Sequence, residues 1–229
     1  MGSIIDKFQL FLDSMPLLLK GTWVTIEITF LTLTLGMLIA VPVSFGQVYG
    51  PKWGKALIGI YEKIFRSIPG IVILFLIYYG LPRAGVQMSP FLATVIGLGL
   101  RSGAYQSQIF RGAIQSIDST QMRASRSLGM SKMQGFRNVI FPQAFRVALP
   151  PWANEFTIVL KDSSFAYALG VTELLRQGRY IISTTYEPML IFLTIAAIYF
   201  IITITLNKSL AALETKLTIP GFDIREKIK

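Results

Sequence analysis

The sequence predicts an all-α membrane protein with five transmembrane helices. Of its 229 residues, 52% are hydrophobic and only 15% are charged, and the mean hydropathy is +0.56. A typical soluble domain carries about a quarter charged residues. Apolar stretches of about 20 residues, the length a helix needs to cross the hydrocarbon core, recur along the chain. We therefore expect membrane-spanning helices in place of one large aqueous core.

The first two predicted spans cover about residues 21–45 and 57–81. The first carries one charge, Glu27, and is too long for the core of a signal peptide, so we expect an uncleaved helix. The second is interrupted by Pro69 and Gly70. Because proline lacks the amide hydrogen that a helix interior requires, we expect a kink at this point.

The third predicted span covers about residues 90–113 and has Arg101 near its middle. Gly99 and Gly103 form a GxxxG pair, which is typical of membrane helices whose backbones approach each other closely. We therefore expect this face of the span to pack against another helix.

The fourth predicted span, about residues 139–160, contains Pro150 and Pro151. Two consecutive prolines predict a broken helix, and unwound backbone at membrane depth is tolerated where it lines a cavity. The fifth span, about residues 188–206, carries no charge and is the most uniformly apolar of the five.

Basic residues predict the orientation of the spans. Fourteen Lys and Arg residues lie on one side: between spans one and two, between spans three and four, and after span five, with Lys63, Arg66 and Arg111 at the span ends included. Six lie on the other side. The positive-inside rule then places the N-terminus outside and the C-terminus in the cytoplasm. This asymmetry explains most of the net charge of +10. Nucleic-acid binding needs a basic face on a soluble domain, and the sequence shows no such domain, so we expect no nucleic-acid binding.

The residue types exclude most catalytic chemistry. The chain has no Cys and no His, which excludes thiolate and imidazole metal sites and nucleophilic catalysis by Ser-His or Cys-His pairs. It has no Walker A sequence, so it is not itself an ATPase. We expect no catalytic residue, no metal site and no cofactor in this chain.

Charges inside or at the ends of the predicted spans are the candidates for a solute pathway. They are Glu27, Arg101, Glu155, Lys161 and Asp162. Such residues normally face a bundle interior or a wet pathway, because a charge at the centre of a lipid-facing helix costs about 2.5–3.5 kcal/mol. The alternative is internal pairing, with Lys161 neutralising Asp162 and Arg101 neutralising Glu155.

A polar segment between spans three and four predicts a helix, a sharp turn and a second helix. The first helix is capped by Asp118 or Ser119 and ends at Gly129 in a left-handed conformation. Ser131 and Gln134 form a capping box that begins the second helix. We name this segment, about residues 118–135, the elbow. A separate protein that drives transport can bind such a compact cytoplasmic element.

The elbow resembles the EAA loop of permease subunits of ATP-binding-cassette importers, specifically the polar amino acid uptake type for His, Glu, Gln and Arg. Ala124 and Gly129 keep that pattern, whereas Arg123 replaces the usual glutamate and Ser125 the second alanine. The resemblance implies that these residues couple the chain to an ATPase: Gln121, Arg123, Ala124, Ser125, Leu128 and Gly129.

Further segments resemble the same family and extend the match to about residues 18–213. Gln108 stands where a glutamate is usual. The matching segments are Phe65–Pro69, Ser102–Gln115, Pro142–Arg146, Asn154–Glu155 and Lys161–Ser164.

The resemblance implies a type I ABC importer permease fold, with the whole chain, residues 1–229, as one transmembrane permease domain in the cell membrane. It also implies a second permease, identical or paralogous, and two cytoplasmic ABC ATPase subunits that bind ATP and Mg. An extracytoplasmic amino-acid-binding protein would deliver a polar amino acid. ATP would drive the transport by shifting the population between two states.

A polar amino acid needs donors for its carboxylate and acceptors for its ammonium group. We expect Glu155 and Asp162 to supply acceptors, while Tyr105 and Ser163 shape the cavity. The expected donors are Arg101, Gln106 and Gln108. Which amino acid is carried stays open. The alternatives are an importer permease for another small solute and a stand-alone secondary carrier, which needs no ATPase.

Overall fold

The computed structural model describes residues 4–217, and every element in that part of the chain is helical. Short π-helical turns follow α3 and precede α7, and a 3-10 turn follows α7. The α-helices are α1 (Ile4–Tyr49), α2 (Lys52–Ser67), α3 (Gly70–Phe75), α4 (Pro90–Ser116), α5 (Ser119–Ser127), α6 (Lys132–Gly135), α7 (Phe141–Asp162), α8 (Leu174–Thr185) and α9 (Pro188–Leu217).

Two helices in the described range, α1 and α9, are long and apolar enough to cross a membrane alone. A third span results if α2 and the segment from Gly70 to Ala84 together form one bent span. The predicted third and fourth spans coincide with α4 and α7, which carry more polar side chains. Five spans and the orientation of the termini therefore stay predictions, and the last three basic residues behind the orientation lie outside the described residues.

The break at Pro69 is present and is sharper than the predicted kink. Helix α2 ends at Ser67, α3 begins at Gly70, and the two segments are bent by 107°. Ile68 has an extended backbone, as expected for a residue before proline, whose ring disfavours the helical conformation of its predecessor.

The predicted break at Pro150 and Pro151 is wrong, because α7 is a continuous α-helix through both prolines. Proline has a helical φ, and a membrane helix tolerates the missing hydrogen bond when neighbouring helices hold its two sides. Leu149 is buried before the prolines, and Trp152 donates a hydrogen bond to α4 immediately after them.

Helices α1 and α4 approach closely through glycines, as the GxxxG pair predicted. A Cβ atom on Gly99 would lie 2.5 Å from the Leu35 side chain, and one on Gly103 would lie 3.1 Å from Ile39. On the other helix, a Cβ on Gly36 would overlap the Gln106 amide and come within 3.2 Å of a backbone nitrogen in α4.

We expect Gly36→Ala to destabilise the protein by about 1–3 kcal/mol, because the added methyl pushes α1 away from α4. The measurement is the thermal unfolding midpoint of the purified protein in detergent. Gly112→Ala is the matched control, because a Cβ on that exposed helical glycine meets nothing within 4 Å. Equal midpoints for the two variants would contradict close packing at Gly36.

Helix α8, which the sequence analysis did not predict, packs against α1 and α9. Leu18, Leu174 and Ile191 form a buried contact between these three helices. Glu173 caps α8, accepting hydrogen bonds from the backbone N–H groups of residues 175 and 176. Burial raises the pKa of this carboxyl to about 7, against the lowering effect of those hydrogen bonds.

Candidate functional site

An ion pair joins the middle of α4 to the end of α7. Arg101 Nη1 lies 2.5 Å from Asp162 Oδ2, and both side chains are about four-fifths buried. The two internal ion pairs considered from the sequence, Arg101–Glu155 and Lys161–Asp162, do not form, because Arg101 pairs with Asp162. Arg101 Nε is buried without a hydrogen-bond partner in the part of the chain that the structure describes. One donor of this guanidinium therefore remains unused.

Tyr105 connects this ion pair to the break after α2. The guanidinium carbons of Arg101 and Arg66 lie 5.0 and 5.3 Å from the centre of the Tyr105 ring. The Tyr105 hydroxyl donates to the Arg66 carbonyl at 3.4 Å. Gly70 lies close by, because a Cβ placed there would be 3.5 Å from Arg101 Cδ. Helices α2, α3, α4 and α7 thus meet at one point.

A buried chain of hydrogen bonds runs beside the ion pair. Trp152 Nε1 donates to Gln106 Oε1 at 2.9 Å, Gln106 Nε2 donates to Ser102 Oγ at 3.0 Å, and Ser102 donates to Glu155 at 2.8 Å. Gln106 and Glu155 are buried. Ser163, also buried, donates to a backbone carbonyl of α7. These three predicted pathway residues are packed between helices in this conformation.

The other predicted pathway residues, Tyr105 and Gln108, lie on an open cleft of about 800 Å³ between α2 and α4. The sequence predicted the orientation from the basic residues of this cleft, and it included Arg66 and Arg111 in segments that resemble the family, but it did not place these residues together. The amphipathic pattern of α2 is the signal that could have placed them together. The charged residues of the cleft are Lys55, Lys63, Arg66, Arg111 and Glu62.

The elbow has the caps that its sequence predicts. Asp118 accepts a hydrogen bond from the Thr120 backbone at 2.8 Å, and this hydrogen bond lowers the pKa of the Asp118 carboxyl. Gly129 has φ +84°, so it takes the left-handed conformation. Ser131 and Gln134 exchange side-chain and backbone hydrogen bonds in a capping box. Local signals therefore determine this turn.

Most of the predicted coupling residues are exposed on the elbow. Leu128 is 79% exposed although it is apolar, and Arg123 is exposed on α5. Ser125 is the exception, because it is buried and packs against Gly135. The exposed coupling residues are Gln121, Arg123, Ala124, Leu128 and Gly129.

An apolar cluster fixes the elbow to the bundle. The cluster buries Phe110 of α4, Ile117 after that helix, and Phe136 and Ile140 before α7. The cluster therefore connects the elbow to α4 and α7, the two helices that carry the ion pair. Within the described range, no group of three His, Cys, Asp or Glu side chains is arranged to hold a metal ion.

Residues 32–219 match the protein family described as "Binding-protein-dependent transport system inner membrane component". The chain is 35% identical to the nopaline transport system permease protein NocM of Agrobacterium fabrum, over 87% of each chain. It is also 35% identical to the glutamine transport system permease protein GlnP of Escherichia coli K12, over 90% of this chain and 95% of the relative.

Solved structures share the fold. One is described as "Crystal structure of an amino acid ABC transporter with histidines", and it superposes with a TM-score of 0.82 at 35% identity over 94% of this chain and 99% of its own. An inward-facing MetNI methionine ABC transporter superposes with a TM-score of 0.76 over 90% and 98%. Its 22% identity supports a likeness of fold alone.

Proposed function

Because the chain belongs to the family of binding-protein-dependent transport system inner membrane components, we propose that its Arg101–Asp162 pair and the adjoining cleft form the path of a polar amino acid. The chain is a permease subunit of an amino acid ABC importer with the type I permease fold, and it is a multi-pass protein of the inner membrane. It is not an enzyme, since the ATPase of such importers is a separate subunit.

The ion pair carries this proposal. An α-amino acid presents a carboxylate and an ammonium group a few ångströms apart, and Arg101 and Asp162 present the complementary charges at one point of the bundle. Substrate binding exchanges one internal ion pair for two pairs with the zwitterion, so both protein charges stay neutralised during passage. Tyr105 and Gln108 line the approach, while Gln106, Glu155 and Ser163 hold the surrounding helices in position.

The cleft supports a second permease chain as partner. Four cations line an open cleft of one subunit, at the ends of predicted spans two and three that face the cytoplasm. Charged side chains at such a position normally face a bundle interior or a wet pathway and not lipid. A second permease, identical or paralogous, closes the cleft and makes it a water-filled pathway. This arrangement uses five spans of one domain, residues 1–229, with the N-terminus outside and the C-terminus in the cytoplasm.

The elbow is the contact with the ATPase. Its exposed Leu128 supplies an apolar anchor, and Arg123 supplies a positive charge that fits a carboxylate on the ATPase subunit. The ATPase binds ATP and Mg, and its closure moves the elbow. The apolar cluster then transmits the movement to α4 and α7. ATP shifts the population between two states through its differential affinity for them.

An extracytoplasmic binding protein delivers the substrate, in keeping with a family of binding-protein-dependent transport components. The test is reconstitution of the chain in liposomes with its ATPase and binding protein, with ATPase activity measured for each of the twenty amino acids. We expect stimulation by one or a few polar amino acids. Complex formation without stimulation by any amino acid would move the substrate to another solute, and transport without an ATPase would indicate a secondary carrier.

A further inference from the structure

The cleft between α2 and α4 carries an excess of positive charge. Lys55, Lys63, Arg66 and Arg111 line it, and Glu62 is the one carboxylate among its lining residues. Glu62 is 6% exposed. Four cations against one carboxylate give the lining a positive formal net charge, although Lys55 Nζ already donates to the Val48 carbonyl.

Glu62 is occupied by hydrogen bonds from its own chain. Its Oε1 accepts from Ser107 at 2.9 Å, and its Oε2 accepts from Gln47 at 3.2 Å. Of the two carboxylates beside the cleft, Asp162 is the one that the proposed function assigns to the substrate ammonium group, and Glu155 is buried and accepts a hydrogen bond from Ser102. A cationic substrate side chain would find no free carboxylate among the described residues of the cleft.

Arg66 is linked to the ion pair through the Tyr105 ring, and it has no carboxylate partner in the described range. Its guanidinium contacts the Tyr105 ring, which also contacts Arg101. The two guanidinium carbons are therefore at most about 10 Å apart. An amino acid with two carboxylates can offer one to each guanidinium, since each carboxylate accepts charge-assisted hydrogen bonds from an arginine.

We infer that this pathway selects an amino acid that carries a second carboxylate, with Arg66 as the partner of the side chain. Arg101 binds the α-carboxylate and Asp162 the ammonium group. The inference rests on the proposed function and specifies the substrate class of the same site. It also assigns Arg66, which the predicted pathway did not include, as a residue that determines specificity.

The test compares L-glutamate with L-glutamine, which have nearly the same shape and differ in the charge of the side chain. Binding is measured by calorimetry on the intact permease–ATPase complex in lipid nanodiscs without the binding protein, so that the specificity of that protein does not contribute. We expect glutamate to bind at least about tenfold more tightly, the effect of one charge-assisted interaction. L-arginine should bind more weakly than either.

Arg66→Gln should weaken glutamate binding about tenfold and leave glutamine binding unchanged. Arg83→Gln, a change at an exposed arginine outside the cleft, is the matched control and should alter neither. The comparison of glutamate with glutamine in the unaltered protein needs no variant, so it tests the inferred selectivity even if Arg66→Gln does not fold. Equal affinities or tighter arginine binding would overturn the inference and leave the importer intact. If no amino acid binds and none stimulates the ATPase, the proposed function fails with it.

Discussion

Asp162→Asn is expected to lower amino-acid uptake more than tenfold and to destabilise the complex by about 3–5 kcal/mol. The change leaves the Arg101 guanidinium, which is about four-fifths buried, without its counter-charge. Removing one partner of a buried pair costs more than the pair itself contributes, because the remaining charge keeps its desolvation penalty. The measurements are the thermal unfolding midpoint of the purified complex and uptake into proteoliposomes.

A double variant separates the role in folding from the role in transport. Arg101→Gln with Asp162→Asn removes both charges, so the unfolding midpoint should recover while uptake stays low. Glu155→Gln is a matched control on the same helix, because its amide oxygen still accepts the Ser102 hydrogen bond. Recovery of uptake together with stability in the double variant would show that the pair has no contact with substrate.

Gly129→Val is expected to abolish ATPase coupling while the bundle stays folded. Gly129 has φ +84°, and a residue with a Cβ atom loses about 1–2 kcal/mol in the left-handed region, with a greater loss for a β-branched one. The turn is closed by the hydrogen bond from Met130 N to Ser125 O and that from Gly129 N to Arg126 O. These two bonds form a Schellman motif, and opening it displaces the exposed Leu128. Copurification of the ATPase and coupled ATPase activity are the measurements.

Gly85→Val provides a control with the same backbone strain at another place. Gly85 has φ +83°, and neither glycine has any atom within 4 Å of an added Cβ. Gly85 directly follows a short 3-10 turn, Leu81–Ala84, and precedes α4, away from the elbow. Gly129→Asn should retain partial coupling, because asparagine tolerates the left-handed region. Equal loss in Gly85→Val and Gly129→Val would mean that strain alone, and not the elbow, explains the defect.

Features that depend on a few neighbouring residues were predictable. The caps of the elbow use hydrogen bonds between residues two or three apart, so Asp118, Ser131 and Gln134 could be assigned their roles from sequence. The bend at Pro69 follows from the missing amide hydrogen. The same reasoning failed at Pro150 and Pro151, where α7 continues as one helix and Trp152 donates a hydrogen bond to Gln106 of α4 directly after the prolines.

The sequence by itself determined the membrane class, the elbow, the glycine contact between helices and, through the resemblance, the family. Only the tertiary structure decided which charges meet. Arg101 and Asp162 are 61 positions apart, and Ser107 and Glu62 are 45 apart, so their pairing depends on how the helices dock. The sequence of one span shows only that the span carries a charge. The rotation and depth of the neighbouring helices decide whether that charge is neutralised by a partner, buried with a hydrogen bond, or left facing the cleft, as Arg66 is.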